Sequence, residues 1–256
     1  MAELPSHLRL DRPAFENYMR NFGAARFIPA VMHGVERIPR GPALLVGNHG
    51  PLAIDTSVLI HALYRDTGRV VRGLGDRMVF KNPITGYLAR VVGGVEGSPD
   101  NAQALLSANE WVLVYPGGAR ETLREPKERY QLSWQGRLGF VRVALRAQVP
   151  IVPIACVGAD DLLVQVVSRE GVLKSPVGKL VAALLGEKYV PPLYAPRLRA
   201  TQFHYYVGDP IAPNASADQV DDKALVEDQQ QRVKTALEAL IERGREQRRV
   251  KLAERG

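Results

Sequence analysis

An α/β fold is predicted for this chain: a mixed, largely parallel central sheet with helices on both faces, a short helical N-terminal lead-in and a C-terminal amphipathic helix. Three observations predict it. Short apolar runs such as ALLV at 43–46, WVLVY at 111–115 and IVPIACV at 151–157 alternate with stretches of helical periodicity. The runs read as buried strands. Several of them empty into Gly, Pro or Asn, so that functional groups would collect in loops beyond strand ends.

Residues 1–29 read as the helical lead-in, with Asp11 capping ahead of Pro13 and Phe15, Met19 and Phe22 striping one face, to pack on the domain or rest on a membrane. Ala30 to Val35 predicts an edge strand, and ALLV the next. A helix is expected around Ser57 to Tyr64, a strand at Val70 to Leu74, and one helix from Met78 to Val91 that Gly93 and Gly94 terminate. Ser98, Pro99 and Asp100 open a further helix to Ala108, followed by the strand Trp111 to Tyr115. A helix over Arg137 to Ala147 leads to the strand Ile151 to Val157. From Gly171 to Pro196 the pattern weakens, leaving open an exposed apolar flap beside the site or a core excursion. Phe203 to Val207 reads as a strand. From Ser216 a charged amphipathic helix runs into a basic tail containing Arg245, Arg248, Arg249, Lys251 and Arg255, read as a solvated face, a disordered end or an anionic-surface contact. No repeat or low-complexity linker divides the chain, so one domain is expected: lead-in 1–29, core 30–212, C-terminal helix and tail 213–256.

Composition narrows the function. The hydrophobic fraction of 46% suits a globular core, and the formal charge of +7 asks for an anionic partner such as a lipid surface, nucleic acid or a phosphorylated cofactor. No helix-turn-helix, zinc-finger or RNP-like pattern is visible, which argues against nucleic acid. Five His and a single Cys exclude a Cys-rich zinc module and an internal disulfide, and Cys156 reads as a small buried residue of a reducing compartment. Neither a signal peptide nor a run of about 18 apolar residues is present, so no spanning helix is expected.

Two loops carry the chemistry. In ALLVGNHGPLAIDTS, residues 43–57, His49 is lifted out of a strand end and Asp55 heads the following helix, the minimum equipment for taking a proton from a hydroxyl near neutral pH. In VLVYPGGARETL, residues 112–123, Gly117 and Gly118 would let the backbone approach a ligand, and Arg120 would clamp phosphate or a developing oxyanion. Either loop alone has a bland reading, as a turn. Together they repeat the logic of an active-site rim.

Asn48 and His49 with Asp55, PGGARE at 116–121, GRLGFVRVALRAQVPIVPIACVGADD at 136–161 and VGDPI at 207–211 resemble successive blocks of the PlsC-like glycerolipid acyltransferase family over about residues 30–212. The similarity is strongest to the branch of diacylglycerol acyltransferase type 2 and its transmembrane-protein-68-like relatives. Two features depart from the common pattern. Five residues, Gly50 to Ile54, separate His49 from Asp55 where the family usually has four. Six positions on one straight helix would set the side chains about 240° apart, so Gly50 and Pro51 are expected to supply a bend, with Asp55 on the first helical turn. The acid of the usual PEGTR block is replaced by glycine, and VGGVEGS at 92–98 lacks the arginine expected there, which makes a neutral hydroxyl acceptor plausible.

The resemblance implies acyl transfer from an acyl thioester, coenzyme A or acyl carrier protein, to a hydroxyl of a glycerolipid or other lipid alcohol. His49 would be the base and Asp55 its orienting acid, with neither metal nor cofactor. Asn48, Gly117, Gly118, Arg120 and Glu121 would bind substrate, with Glu121 orienting Arg120 and the glycine amides holding negative charge. A cytoplasmic enzyme peripherally bound to the inner face of a membrane is expected. A lysophosphatidate acyltransferase and a non-catalytic lipid-surface binder are the alternatives. A serine hydrolase is disfavoured because no GxSxG elbow occurs.

Overall fold

The computed structural model describes residues 4–187, 190–196 and 202–253. Residues 1–3 of the lead-in, 188–189, 197–201 and the last tail residues including Arg255 lie outside them. Seven strands form the main sheet: β1 (Ala30–His33), β2 (Ala43–Gly47), β3 (Val71–Gly75), β4 (Val95–Glu96), β5 (Trp111–Val114), β6 (Ile151–Val157) and β9 (Phe203–Val207). Their order is β1-β9-β6-β2-β5-β3-β4. Every pairing is parallel except β6 with β9, so β1 and β9 run against the other five. The mixed, largely parallel sheet expected from the sequence is therefore the one formed. Two further strands, β7 (Leu163–Val167) and β8 (Leu193–Pro196), make a separate antiparallel ribbon that the sequence pattern does not announce.

Alternation along the central strands divides the core into two layers. Leu44 and Val46 of β2 face α5 (Pro99–Ser107), α7 (Gly139–Ala147) and the long C-terminal helix α10 (Lys223–Ala253). Ala43 and Leu45 face α1 (Arg12–Asn21) and α2 (Ile54–Thr67). All five residues of β2 are buried, which accounts for the unbroken apolar run.

Helix ends follow local chemistry. Asp11 accepts from Ala14 N and Ser98 from Asn101 N, as N-caps ahead of prolines. The single helix expected over Met78 to Val91 is two, α3 (Arg77–Lys81) and α4 (Pro83–Val91). Pro83 holds Asn82 in extended backbone, and the Asn82 side chain caps α4. Gly171 to Pro196 is more regular than its composition suggests, containing the end of α8 (Arg169–Lys174), α9 (Pro176–Leu185) and β8. Val177, Leu180 and Leu184 of α9 are exposed, but none of them lines a cavity at the histidine loop. The basic tail is helical as far as Ala253 and in part engaged: Arg248 pairs with Asp161 at 3.2 Å, and Arg249 with Glu242 at 2.9 Å. Among the described residues no helix is long and apolar enough to cross a membrane.

Candidate active site

Adjacent parallel strands β2 and β5 deliver the two loops to the same end of the sheet. His49 follows β2 and is 8% exposed. Its Nδ1 lies 3.0 and 3.1 Å from the two carboxylate oxygens of Asp55, which is fully buried on the first turn of α2. Asp55 also accepts from Gly50 N at 2.9 Å, and its own carbonyl accepts from the Tyr205 hydroxyl at 2.8 Å. The acid is thus fixed at both ends. With Nδ1 occupied, Nε2 is the ring nitrogen left for a substrate.

The bend between His49 and Asp55 is made differently from the sequence expectation. Gly50 is extended, and the chain reverses at Leu52 (φ 56°) and Ala53 (φ 58°), both left-handed. Each such non-glycine residue costs about 1 kcal/mol or more, so the extra residue of the His49–Asp55 spacing is absorbed as backbone strain at the site. Gly50 is required for space: a Cβ there would meet Ala159 Cβ at 2.7 Å.

The second loop supports the first from beneath. Glu121, 1% exposed, accepts from His49 N at 2.8 Å and from Ser133 N at 3.0 Å. It holds the histidine loop rather than orienting Arg120, which is exposed and lines neither cavity of the site. Gly117 is the clearance for this carboxylate, since a Cβ on it would lie 2.2 Å from the Glu121 carboxyl. Burial raises the Glu121 pKa, against the lowering influence of the two amides, Arg124 and His49. Gly118 (φ 54°) adopts a backbone that favours glycine, and its amide donates to Tyr115 O at 3.0 Å. Asn48 spends both ends of its amide on the Cys156 backbone, accepting from N at 2.7 Å and donating to O at 3.0 Å. It locks the loop to β6 and presents no free polar atom to a substrate. Cys156 is buried, with its thiol pKa pushed up by burial first and by Asp55 next.

Four residues that the sequence did not single out for the site shape it. The Tyr115 ring stacks on the His49 imidazole at 3.9 Å and 4°. Arg124 donates to the carbonyls of His49, Glu121 and Gln131 and pairs with Asp160 at 3.3 Å, with both side chains almost wholly buried. Asp160, last but one of the GADD run, has its pKa raised to about 6, chiefly by burial and against the pull of Arg124. Arg137 donates to Pro116 O at 2.9 Å and lines the cavity beyond Gly118. The RETLRE and GADD runs gave a weak signal for Arg124 and Asp160, but only tertiary contact shows that they meet.

Two cavities open at these strand ends. The larger, about 440 Å³, is lined by His49 and Thr56, by Phe80 and Val92, and by Gly118 and Leu123; its wall is mostly apolar and contains no Lys or Arg. The smaller, about 310 Å³, is lined by Phe140, Val143 and Arg137 among others. Leu74, Gly75, Asp76, Tyr115 and Gly118 border both. A histidine held by a buried acid at the rim of a largely apolar cavity is the equipment of an enzyme that activates a hydroxyl against a lipid-like substrate.

Known proteins agree at the level of family. The chain belongs to the acyltransferase family, whose profile matches residues 30–157. It is 31% identical over 230 residues to the bovine "DGAT1/2-independent enzyme synthesizing storage lipids", covering 86% of this chain and 65% of the relative. It is 31% identical over 237 residues to "Phytyl ester synthase 2, chloroplastic" of Arabidopsis thaliana, covering 83% of this chain and 34% of the relative. The chain therefore spans just under two thirds of the first relative and about a third of the second. In fold it is similar to the 1-acyl-sn-glycerophosphate acyltransferase PlsC of Thermotoga maritima, with a TM-score of 0.51 at 19% identity over 89% of this chain and 78% of that one. The family resemblance read from the NH, PGGARE and GADD blocks is the family found.

Proposed function

We propose that this protein transfers a fatty acyl group from an acyl thioester to the hydroxyl of a lipid alcohol, with His49 as general base. One observation carries the reading: His49 Nδ1 is held by a buried carboxylate while the same ring borders a largely apolar cavity shared with Gly118, Ala119, Thr122 and Leu123. Nε2 takes the hydroxyl proton as the oxygen attacks the thioester carbonyl. Asp55 fixes the tautomer and stabilises the imidazolium. Collapse of the tetrahedral species expels the thiolate, which recovers the proton from Nε2. Of the glycine pair, Gly118 N is committed to Tyr115 O and Gly117 is buried and lines neither cavity, so neither amide is assigned to the oxyanion.

A neutral acceptor is favoured because the larger cavity is lined by neither Lys nor Arg. The names of the storage-lipid and phytyl ester relatives support the same class of acceptor. A phosphate-bearing acceptor is the second reading, favoured by Arg137 in the smaller cavity. Coenzyme A release from acyl-CoA, measured against monoacylglycerol, a long-chain alcohol and lysophosphatidate, separates the two. His49→Ala is expected to lower acceptor-dependent release by about a thousandfold or more. A folded His49→Ala variant that retains a tenth of wild-type turnover would remove His49 from this role.

A further inference from the structure

The hairpin of α3 and α4 is built with its apolar side facing outward. Of the nine residues of α4 only Gly86 is buried, and Ile84, Tyr87 and Leu88 are 71%, 63% and 53% exposed. Gly86 explains the arrangement: α4 lies so close on α3 that a Cβ there would stand 3.1 Å from Phe80 O. The close approach turns the larger side chains away from the protein. The other side of the same hairpin, through Met78, Phe80, Ala89 and Val92, lines the larger cavity. One thin wall therefore separates the proposed lipid site from an exposed apolar surface.

The charge of this segment identifies its partner. From Arg77 to Val95 the sequence contains Arg77, Lys81 and Arg90, all exposed, and neither Asp nor Glu; Asp76 and Glu96 flank the segment, and Arg77 lies 3.6 Å from Glu96 in a solvent-exposed pair that leaves most of its side chain accessible. Exposed Ile, Leu and Tyr bordered by cations match a bilayer with anionic headgroups, where apolar side chains enter the acyl boundary, tyrosine sits at headgroup level and cations meet phosphate. The exposed stripe of α9 borders neither cavity and has no comparable relation to the site.

We propose that the α3–α4 face, through Ile84, Tyr87 and Leu88 with Arg77 and Lys81, docks on an anionic lipid surface and sets the larger cavity against the membrane that holds its lipid substrate. The orientation toward a substrate rests on the acyltransferase reading, whereas the docking itself does not. The test is sedimentation of the full chain with phosphatidylcholine vesicles containing about 30 mol% phosphatidylglycerol. Wild-type protein is expected to bind these and to bind pure phosphatidylcholine vesicles more weakly. The triple variant Ile84→Ser, Tyr87→Ser, Leu88→Ser should lose at least about tenfold in partitioning, and Arg77→Gln with Lys81→Gln about tenfold in the anionic vesicles. Turnover with a monomeric short-chain acceptor should be unchanged in the triple variant, while turnover with a vesicle-embedded acceptor falls with binding. A triple variant that binds like wild type overturns the proposal, as does one that changes only the oligomeric size in light scattering, which would make the face a protein contact. Wild-type binding without transfer to any acceptor would sink the enzymatic reading and leave the docking face standing.

Discussion

Glu121→Gln tests whether the histidine loop is held in place from the second loop. In the native site Oε2 accepts from His49 N at 2.8 Å and Oε1 from Ser133 N at 3.0 Å. Glutamine matches glutamate in shape but has one acceptor oxygen, so one backbone N–H must face an amide NH₂ in a site that is 1% exposed. The loss is one charge-assisted hydrogen bond and one buried donor left unpaired, each worth about 1 to 3 kcal/mol, for a total near 3 kcal/mol. For a domain of this size that lowers Tm by about 6 to 12 °C. Since the bonded amide is that of His49 itself, turnover should fall by more than the unfolded fraction explains, by about tenfold at a temperature where the variant is folded. Scanning calorimetry and coenzyme A release at 20 °C below the lower Tm, an offset of about two transition widths, separate the two effects. Arg120→Ala, whose side chain is exposed, should leave Tm within about 2 °C. A Glu121→Gln protein with wild-type Tm and turnover would refute the reasoning and leave Glu121 with no part in holding the histidine loop.

Other expected outcomes follow from the same contacts. Tyr115→Phe retains the ring on His49 and should keep most turnover, whereas Tyr115→Ala, losing a stack worth about 1 kcal/mol, should cost about fivefold or more in kcat with KM less affected. Ala53→Gly should be neutral to stabilising by about 0.5 kcal/mol in urea unfolding because φ is 58°; destabilisation of about 1 kcal/mol, as for glycine inside an ordinary helix, would show that the left-handed turn is not formed. Asp160 has a folded-state pKa near 6, above its unfolded value, so the folded protein holds more protons through the window between the two. Its contribution to stability must then fall as pH rises from about 4 to 6, and Asp160→Asn should remove that slope from a urea midpoint series. An identical slope in the variant would mean that Asp160 titrates elsewhere.

Much of the sheet was legible because parallel strands buried on both faces leave an unmistakable apolar run, as at residues 43–46 and 151–157. The ribbon of β7 and β8 was not, since only Leu163 of the five residues Leu163–Val167 is buried and the strand pairs with one about thirty residues away. The α3–α4 break was available in Pro83 but was outweighed by helical periodicity on either side. In the site, the meeting of His49 and Asp55 could be read from residue types and order. What could not be read was which way each supporting side chain turns. Glu121 and Arg120 are neighbours in one short helix, α6 (Ala119–Thr122), and one points into the core while the other points to solvent. Adjacent helical positions diverge by about 100°, so a motif written as a string cannot say which of the two it needs inside.

The burial of Glu121 changes how the PGGARE block should be understood. A glycine pair beside an arginine invites a reading as an anion cradle, and in sequence nothing contradicts it. In space Gly117 is the gap that admits the Glu121 carboxylate, and Arg124, three positions on, joins the carbonyls of His49 and Glu121 to Asp160. The Glu121 carboxylate of the block therefore acts on the histidine through its backbone amide, while Gly118 and Ala119 of the same block line the larger cavity beside the ring. Two left-handed residues at 52 and 53 store strain in the same loop, and a strained loop persists only where its surroundings over-determine it. The amide of His49 bound by Glu121, its carbonyl by Arg124, its Nδ1 by Asp55 and its ring face by Tyr115 together supply that determination. It follows that substitutions at Gly117, Glu121 or Arg124 should raise the barrier of the reaction without altering which acceptors are used, whereas acceptor choice should respond to residues of the cavity wall such as Phe80, Leu123 and Arg137.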